Sequence, residues 1–210
     1  MPQLESRLFL VTDRHQTNGR PLVPLLERVL AGAAPAIQLR ERDLSARDLV
    51  RLAREVQAVM ASRRSQLLIN DRIDVALALE EVGVHLRSNS LPVSIARQLL
   101  GGRRLLGISV HAVEEAVQAE SQGADYLILG PIYETPSKQM FGPPLGMHTL
   151  ERACRQVRIP IMGIGGMTSS RAREVRRAGA FGVAVITAIL GAADVESATR
   201  ELLEAVTLAP

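Results

Sequence analysis

Three polar side chains near residue 40 have the spacing of an anion site. Gln38, Arg40 and Arg42 occupy alternate positions at the end of a short apolar run, so an extended chain would point them in one direction. An arginine side chain can bind a phosphate through two parallel hydrogen bonds. The same arginines could instead form a solvated ion-pair cluster with Glu41 and Asp43. We favour the anion site, because two guanidiniums at one strand end suit a phosphorylated ligand.

Glycines late in the chain indicate a second anion site. Gly165 and Gly166 follow one apolar run, and Ile186 and Thr187 follow the next. Glycine lets backbone amides approach a phosphate closely, and a short helix beginning at Thr187 would add its own N–H groups. The alternative is that the two glycines only turn the chain.

His111 is the candidate for proton transfer. It lies two residues after Ser109, at the end of another apolar run. The ordinary histidine pKa of about 6.5 suits acid–base chemistry near neutral pH. A lone histidine is more often structural than catalytic, but its place at a strand end beside Ser109 leaves both alternatives open for His111. The sequence has no His/Cys cluster with zinc spacing, so we expect no metal ligands of that kind.

A long loop with several prolines carries the single lysine of the chain. Residues 133–146 include Thr135, Pro136, Ser137 and Lys138 in succession. Long loops over an active site are often lids. We therefore expect Lys138 to reach a bound phosphate from a lid, although chance survival in an arginine-rich chain is the alternative.

These residues need a scaffold that brings the ends of many strands together. Short apolar runs of four to six residues alternate with amphipathic stretches eight times along the chain. This alternation predicts parallel strands with helical crossovers, and eight units indicate a compact (β/α)₈ TIM barrel formed by a single domain, residues 1–210. A doubly wound sheet is the alternative, but no Gly-x-Gly-x-x-Gly follows the first strand. The candidate strands are 8–12, 36–40, 66–70, 83–86, 105–110, 125–130, 160–165 and 182–186. The candidate helices are 22–31, 46–62, 74–79, 92–100, 113–122, 149–157, 170–178 and 195–206.

Composition narrows the function class. The chain has 210 residues, 47 % of them hydrophobic, and a formal net charge of +3, with 24 arginines among its 25 basic residues. Aromatic residues make up only 2 %, and the basic residues are scattered, so nucleic-acid binding is not expected. We also expect no membrane span. The single cysteine, Cys154, rules out an internal disulfide and is consistent with a cytoplasmic location.

Nine short motifs in order along nearly the whole chain resemble the thiamine phosphate synthase superfamily, which includes the thiazole tautomerases of the TenI type. The motifs are Gln38-Leu39-Arg40-Glu41, Asn70-Asp71-Arg72, Gly83-Val84-His85-Leu86, Gly107-Ile108-Ser109, Gly123-Ala124-Asp125-Tyr126, Gly130-Pro131-Ile132-Tyr133, Thr135-Pro136-Ser137-Lys138, Gly163-Ile164-Gly165-Gly166 and Gly182-Val183-Ala184-Val185.

The resemblance implies one of two activities. A synthase joins a hydroxymethylpyrimidine pyrophosphate to a thiazole phosphate and releases pyrophosphate with the help of Mg²⁺. A tautomerase converts a carboxythiazole phosphate tautomer to its aromatic isomer. Both imply a phosphate pocket at Gly166, Ile186 and Thr187. The pyrophosphate site of a synthase implies Arg40, Asn70 and Lys138, with Asp71 among the Mg²⁺ ligands.

The sequence departs from the synthase pattern at one segment. Synthases typically place a second Mg²⁺-binding aspartate a few residues after the His-Leu pair, whereas this chain has Ser90 there and Arg87 nearby. Arg42 also stands where synthases usually have lysine. Because a hydroxyl is a poorer Mg²⁺ ligand than a carboxylate, we expect a weakened metal site.

These departures favour the tautomerase. In that interpretation the protein is an isomerase, His111 is the proton shuttle, the substrate is a small phosphorylated thiazole, and no cofactor is needed. The alternative is a synthase that uses Mg²⁺ at Asp71. A third alternative is a non-catalytic regulator that binds thiazole or thiamine phosphates. Barrels of this kind often pair, which favours a homodimer. The sequence alone leaves the oligomeric state open.

Overall fold

Eight parallel strands close into one barrel. The structure is a computed structural model that describes residues 3–63, 65–135 and 142–208. Its strands pair in chain order, and the last strand pairs with the first. The predicted (β/α)₈ barrel is therefore confirmed. The strands are β1 (Leu8–Val11), β2 (Ala36–Leu39), β3 (Leu67–Asn70), β4 (Gly83–Leu86), β5 (Leu106–Val110), β6 (Tyr126–Leu129), β7 (Ile161–Ile164) and β8 (Gly182–Val185).

The helices surround the barrel and follow the predicted order. They are α1 (Leu22–Gly32), α2 (Ala46–Met60), α3 (Ile73–Leu77), α4 (Val93–Leu100), α5 (Val113–Ser121), α6 (Gly146–Gln156), α7 (Ser169–Arg177), α8 (Thr187–Leu190) and α9 (Val195–Thr207). The short α8 is the extra helix expected after the last strand. Helix α6 begins three residues earlier than predicted, and the Thr149 hydroxyl donates to the Leu145 carbonyl at 2.7 Å in its first turn. In the described ranges, no helix combines the length and apolar character needed to cross a membrane.

The strands are apolar on both faces because each face packs against a different layer. Phe9, Leu68, Tyr126 and Met162 fill the inside of the barrel. The alternate strand residues pack outward against the helices, as the Leu8 side chain does. Burial on two sides is typical of parallel strands in barrels. It explains why the strand sequences read as continuous apolar runs.

Helix caps set where the outer layer begins. The Ser45 and Thr168 side chains accept hydrogen bonds from backbone N–H groups in the first turns of α2 and α7, and Asp194 does the same for α9. Such caps satisfy donors that a helix cannot satisfy itself. The three caps therefore set the first residues of α2, α7 and α9.

Several arginines in the helical layer donate hydrogen bonds to main-chain carbonyls and stabilise that layer. Arg97 donates to the carbonyls of Gly123 and Gly101 at 3.0 and 2.9 Å, and Arg104 donates to the Leu79 carbonyl at 2.8 Å. Arginines that bind carbonyls in the same way are Arg20, Arg171 and Arg176. Much of the basic composition is therefore structural, because one guanidinium can satisfy several carbonyls at a helix end.

Candidate active site

The carboxyl ends of the strands form a mouth whose first side is built from polar side chains. Gln38 on β2 donates from Nε2 to Oδ1 of Asn70 on β3, at 2.8 Å. Both side chains are buried, and the Oε1 atom of Gln38 has no hydrogen-bond partner in the part of the chain that the structure describes. A buried acceptor without a donor is costly in an empty protein. This atom is therefore a candidate ligand contact.

A buried carboxylate holds the ends of β1 and β2 together beneath Arg40. The Thr12 hydroxyl donates to Glu41 at 2.6 Å, and the Arg40 backbone N–H donates to the same hydroxyl at 2.9 Å. Glu41 is only 4 % exposed, so it is a structural anchor rather than the solvated ion-pair partner considered from sequence. These hydrogen bonds fix the position of the Arg40 backbone.

The charges of two neighbouring arginines act on Arg40 at this side of the mouth. Burial lowers the pKa of Arg40, and the positive charges of Arg42 and Arg87 lower it further, while Asp13 and Glu41 raise it. The nearest carboxylate oxygen, on Asp13, is 3.6 Å from an Arg40 nitrogen. Like charges gathered in one place favour the binding of an anion. The charges of Arg42 and Arg87 thus both act on Arg40, and the use of these arginines as an anion site stays a prediction.

Asp71 and Arg87 form an ion pair next to these arginines. Arg87 approaches Oδ2 of Asp71 through Nε at 2.6 Å and through a terminal nitrogen at 2.5 Å. Burial would raise the pKa of Asp71, but the Ser90 hydroxyl and the Arg87 guanidinium more than offset this, so its pKa lies below the usual value. Sequence reasoning left the direction of the Arg87 side chain open, and only the structure shows that it turns onto Asp71.

A buried hydrogen-bond chain runs down the barrel from Ser109. His85 lies 2.9 Å from the Ser109 hydroxyl through Nε2 and 2.9 Å from the Tyr126 hydroxyl through Nδ1. Complete burial lowers the pKa of His85 from 6.5 to about 3, so the imidazole is neutral. Gly107 makes room for this chain, since a Cβ there would lie 2.0 Å from the Tyr126 ring. His85 is therefore a packed residue of the barrel interior.

His111 lies at the edge of the mouth and is held at both ends. Its Nδ1 is 2.6 Å from the Gly130 carbonyl oxygen, and its backbone N–H donates to the Glu115 carboxylate at 2.7 Å. Because a carbonyl can only accept, Nδ1 carries the proton and Nε2 is the nitrogen left for a ligand. The side chain bridges the loops after β5 and β6.

The opposite side of the mouth is built from backbone. Gly165 and Gly166 follow β7 with positive φ values of 101° and 62°. A Cβ on Gly165 would lie 2.7 Å from Pro131, and one on Gly166 would lie 2.5 Å from the Glu134 carbonyl oxygen. Thus these glycines do more than turn the chain, because two loops pass too close for any side chain.

The neighbouring helix α8 faces the same opening. Strands β7 and β8 are paired, so the segments that follow them are adjacent. Ile186 is the residue before α8, and Thr187 begins it. The first N–H groups of a helix have no partner within that helix.

Other predicted site residues fall in the loop after β6. Thr135 is described and partly buried. Pro136, Ser137 and Lys138 lie outside the described residues. Sequence reasoning missed the contacts beside this loop, where the Arg171 guanidinium lies 4.6 Å from the centre of the Tyr133 ring and the Tyr133 hydroxyl donates to Glu174 at 2.8 Å. No short-range pattern signals them, since they join residues about 40 positions apart.

Among the described residues, the mouth does not contain the carboxylates of a protein-built Mg²⁺ site. Across the described ranges, no three His, Cys, Asp or Glu side chains come together in a group that could hold a metal ion. Asp71 is the single carboxylate at the expected place, and its Oδ2 is held by Arg87. Mg²⁺ is usually bound through one or two carboxylates together with substrate phosphates. The residues present therefore fit such an ion poorly.

The closed barrel defines the class first: a (β/α)₈ barrel, with the candidate site residues after the carboxyl ends of the strands. Within that class, the chain belongs to the thiamine monophosphate synthase family, whose model matches residues 8–189. The superfamily resemblance expected from the nine motifs is confirmed.

The relatives described next are similar to this chain over nearly its whole length. The chain is 46 % identical over 209 residues to a thiamine-phosphate synthase from Moorella thermoacetica, covering 100 % of this chain and 99 % of that protein. It is 43 % identical over 197 residues to a thiamine-phosphate synthase from Roseiflexus castenholzii, covering 94 % of this chain and 86 % of that protein. A solved structure, a thiamine phosphate pyrophosphorylase from Pyrococcus furiosus, superimposes with a TM-score of 0.87 at 33 % identity, covering 97 % of this chain and 96 % of that one.

The tautomerase interpretation is therefore wrong, and so is the assignment to the isomerases. These relatives are named as synthases, which are transferases, and the similarity extends over the whole chain rather than one motif. The error came from treating one altered segment, around Ser90, as a change of reaction. His111 carried little weight in either direction, because both branches can have histidine there. The prediction that no cofactor is needed went with that interpretation and is not confirmed.

Proposed function

We propose that this protein is a thiamine-phosphate synthase, joining a hydroxymethylpyrimidine pyrophosphate to a thiazole phosphate with release of pyrophosphate. One observation carries the proposal: a single mouth has two separate groups of candidate anion-binding residues, arginines after β2 and β4 and glycine-rich backbone after β7 and β8. Two phosphorylated substrates need two such places. The names of the relatives support the same reaction.

The diphosphate of the pyrimidine substrate is assigned to the arginine side. Arg40 and Arg42 provide positive charge, and the amides of Gln38 and Asn70 provide uncharged hydrogen-bonding groups beside it. Ser109 contributes a hydroxyl whose position is fixed by His85. The sequence adds a group from the loop after β6: Thr135, Pro136, Ser137 and Lys138.

The thiazole phosphate is assigned to the backbone side. Gly165 and Gly166 allow a phosphate to approach main-chain N–H groups, and Ile186 and Thr187 begin the short helix beside them. Backbone groups bind a phosphate without the conformational cost of ordering long side chains. This division leaves the two reacting ends of the substrates to meet above the barrel centre.

The chemistry follows from where charge develops. The thiazole ring nitrogen supplies the electron pair for a new carbon–nitrogen bond, and the carbon–oxygen bond to the diphosphate breaks with its electron pair going to oxygen. Negative charge therefore grows on the departing diphosphate. Fixed guanidiniums stabilise such charge best when they are already in position. Arg40, with its backbone held by Thr12, is placed for this role.

The test is direct turnover. Purified protein is given both substrates, and thiamine phosphate and pyrophosphate are quantified in Mg²⁺ buffer and again with a chelator. The proposal expects the two products in equal amounts in at least one condition. Binding of either substrate without product in both conditions would overturn it and favour the regulator alternative. Arg28→Ala is the control, because Arg28 pairs with Glu196 on the outside of the barrel.

Three coarser expectations remain proposals. We propose that residues 1–210 act as one domain, that the protein is cytoplasmic, and that it pairs as a homodimer. Light scattering on the purified protein tests the last of these, and a mass of one chain at micromolar concentration would contradict it.

A further inference from the structure

The segment that contains Arg87 and Ser90 places a guanidinium beside the Asp71 carboxylate. In a site built for Mg²⁺, the Asp71 carboxylate would face the ion. Here Arg87 occupies one of its oxygens with two nitrogens, at 2.6 and 2.5 Å. The other oxygen, Oδ1, is buried and has no hydrogen-bond partner among the described residues. A guanidinium thus takes the place beside Asp71 where a cation is expected.

Arg87 is suited to bind a ligand as well as Asp71. A guanidinium has five N–H donors, and the contacts with Asp71 involve only Nε and one terminal nitrogen. The Arg87 side chain is 44 % exposed, so its remaining donors are accessible. Its charge also reaches Arg40, the central arginine of the mouth. Both observations favour a contact between Arg87 and a diphosphate bound at Arg40.

We infer that Arg87 is a diphosphate-binding residue of this chain, supplying beside Asp71 the positive charge that a carboxylate-held Mg²⁺ would otherwise supply. The inference rests on the proposed function for the identity of the substrate, but pyrophosphate binding itself can be measured without turnover. It makes the chain less dependent on Mg²⁺ for holding the diphosphate. Asp71 then acts as a positioning residue for Arg87.

The structure also gives a reason why arginine, and not lysine, suits this position. Arg87 must hold an aspartate and an incoming phosphate together, and a planar fork with several donors can do both. A lysine ammonium is a compact charge without that fixed geometry. We therefore expect Arg87→Lys to keep only part of the binding.

The main experiment measures binding of inorganic pyrophosphate by calorimetry in chelator-treated buffer. Arg87→Ala should weaken binding by about tenfold or more, since hydrogen bonds to charged groups are worth about 1.5–3 kcal/mol. Arg28→Ala is the matched control, because that arginine is similarly exposed, at 50 % against 44 %, and also pairs with a carboxylate. A loss of less than about twofold for Arg87→Ala would overturn the inference.

A second pair of variants separates direct binding from neutralisation of Asp71. In an Asp71→Asn background there is no carboxylate charge to neutralise. If Arg87 contacts the diphosphate, Arg87→Ala still weakens pyrophosphate binding in this background. If the loss disappears, Arg87 only screens Asp71 and the inference is wrong. Arg87→Lys serves as a further variant if Arg87→Ala does not fold, and binding equal to the wild type would also overturn the inference.

A third measurement tests the relation to the metal. Wild-type affinity for pyrophosphate should change by less than about threefold when Mg²⁺ replaces the chelator, because the positive charge of Arg87 already lies beside the Asp71 carboxylate and opposes a second cation there. The double variant Arg87→Ala, Ser90→Asp should bind Mn²⁺ in the presence of pyrophosphate more tightly than the wild type, as seen by electron paramagnetic resonance. Wild-type binding that vanishes with the chelator would overturn the inference. Failure of the synthase assay together with Arg87-dependent pyrophosphate binding would reject the proposed function and leave this inference intact.

Discussion

The two sides of the mouth offer different kinds of candidate phosphate-binding groups. After β2 to β5 the candidate groups are long side chains: Arg40, on which the charges of Arg42 and Arg87 act, and Arg87, which pairs with the Asp71 carboxylate. After β7 and β8 the groups are main-chain amides, exposed by Gly165 and Gly166. Side-chain recognition can change by one substitution, whereas backbone recognition depends on how loops pack. The first side can therefore change one group at a time, whereas the second can change only together with its loops.

The largest effect should come from the centre of the side-chain region. Arg40→Ala should lower kcat/KM for thiamine phosphate formation by about 10²-fold, because one residue loses both charge and fixed donors where charge develops. Arg40→Lys should recover only part, since a lysine cannot bind through a fork. Steady-state assays with each substrate varied in turn test this. A change below about threefold for Arg40→Ala would place the diphosphate elsewhere.

The backbone region should respond through stability as well as binding. Gly165→Ala forces a side chain into a positive φ and against Pro131, at 2.7 Å. We expect a loss of about 2–3 kcal/mol in the free energy of unfolding and a Tm lower by about 5–10 °C. Thiazole phosphate binding should weaken with it.

Gly102→Ala is the matched control for this prediction. A Cβ at Gly102 would have no heavy atom within 4 Å. Its Tm should therefore stay within about 1 °C of the wild type. Equal Tm values for the two variants would show that the loop after β7 can move away at little cost.

His85 should make the barrel interior sensitive to acid. Burial lowers its pKa from 6.5 to about 3. Between these two pH values His85 is therefore protonated in the unfolded chain but neutral in the folded chain. The free energy of unfolding should therefore fall as pH drops below 6.5, by up to about 1.4 kcal/mol per unit for this group. His85→Gln should show a shallower slope in urea titrations between pH 7 and 4. Parallel slopes would mean that the imidazole protonates inside the folded barrel.

The smallest effect is expected at the boundary between the two regions. His111 bridges the loops after β5 and β6, and the synthase reaction needs no proton shuttle at a thiazole carbon. His111→Asn should thus reduce turnover by less than about tenfold, below the roughly 10²–10⁴-fold of a general base. Turnover of the two synthase substrates measures it. A loss of about 10²-fold or more would restore a proton-transfer role for His111 within the synthase reaction.

Sequence patterns predicted the barrel because each strand and helix signals itself locally. Continuous apolar runs and the caps at Ser45 and Thr168 are readable within a few residues. The Asp71–Arg87 pair spans 16 positions, and the direction of a long side chain depends on its spatial neighbours. The His85–Tyr126 contact spans 41 positions and depends on the glycine at 107. Local patterns therefore located the mouth but could not show which charges meet there.

The arginines that bind carbonyls in the outer shell bear on tolerance to alkali. Arg97 and Arg104 hold helix ends through charged donors, and a guanidinium keeps its proton at any pH that a folded protein survives. A shell fastened by lysines would lose these bonds as the ammonium groups deprotonate near pH 10. In strongly basic solution, the first parts of this barrel to loosen should therefore be those that do not depend on arginine.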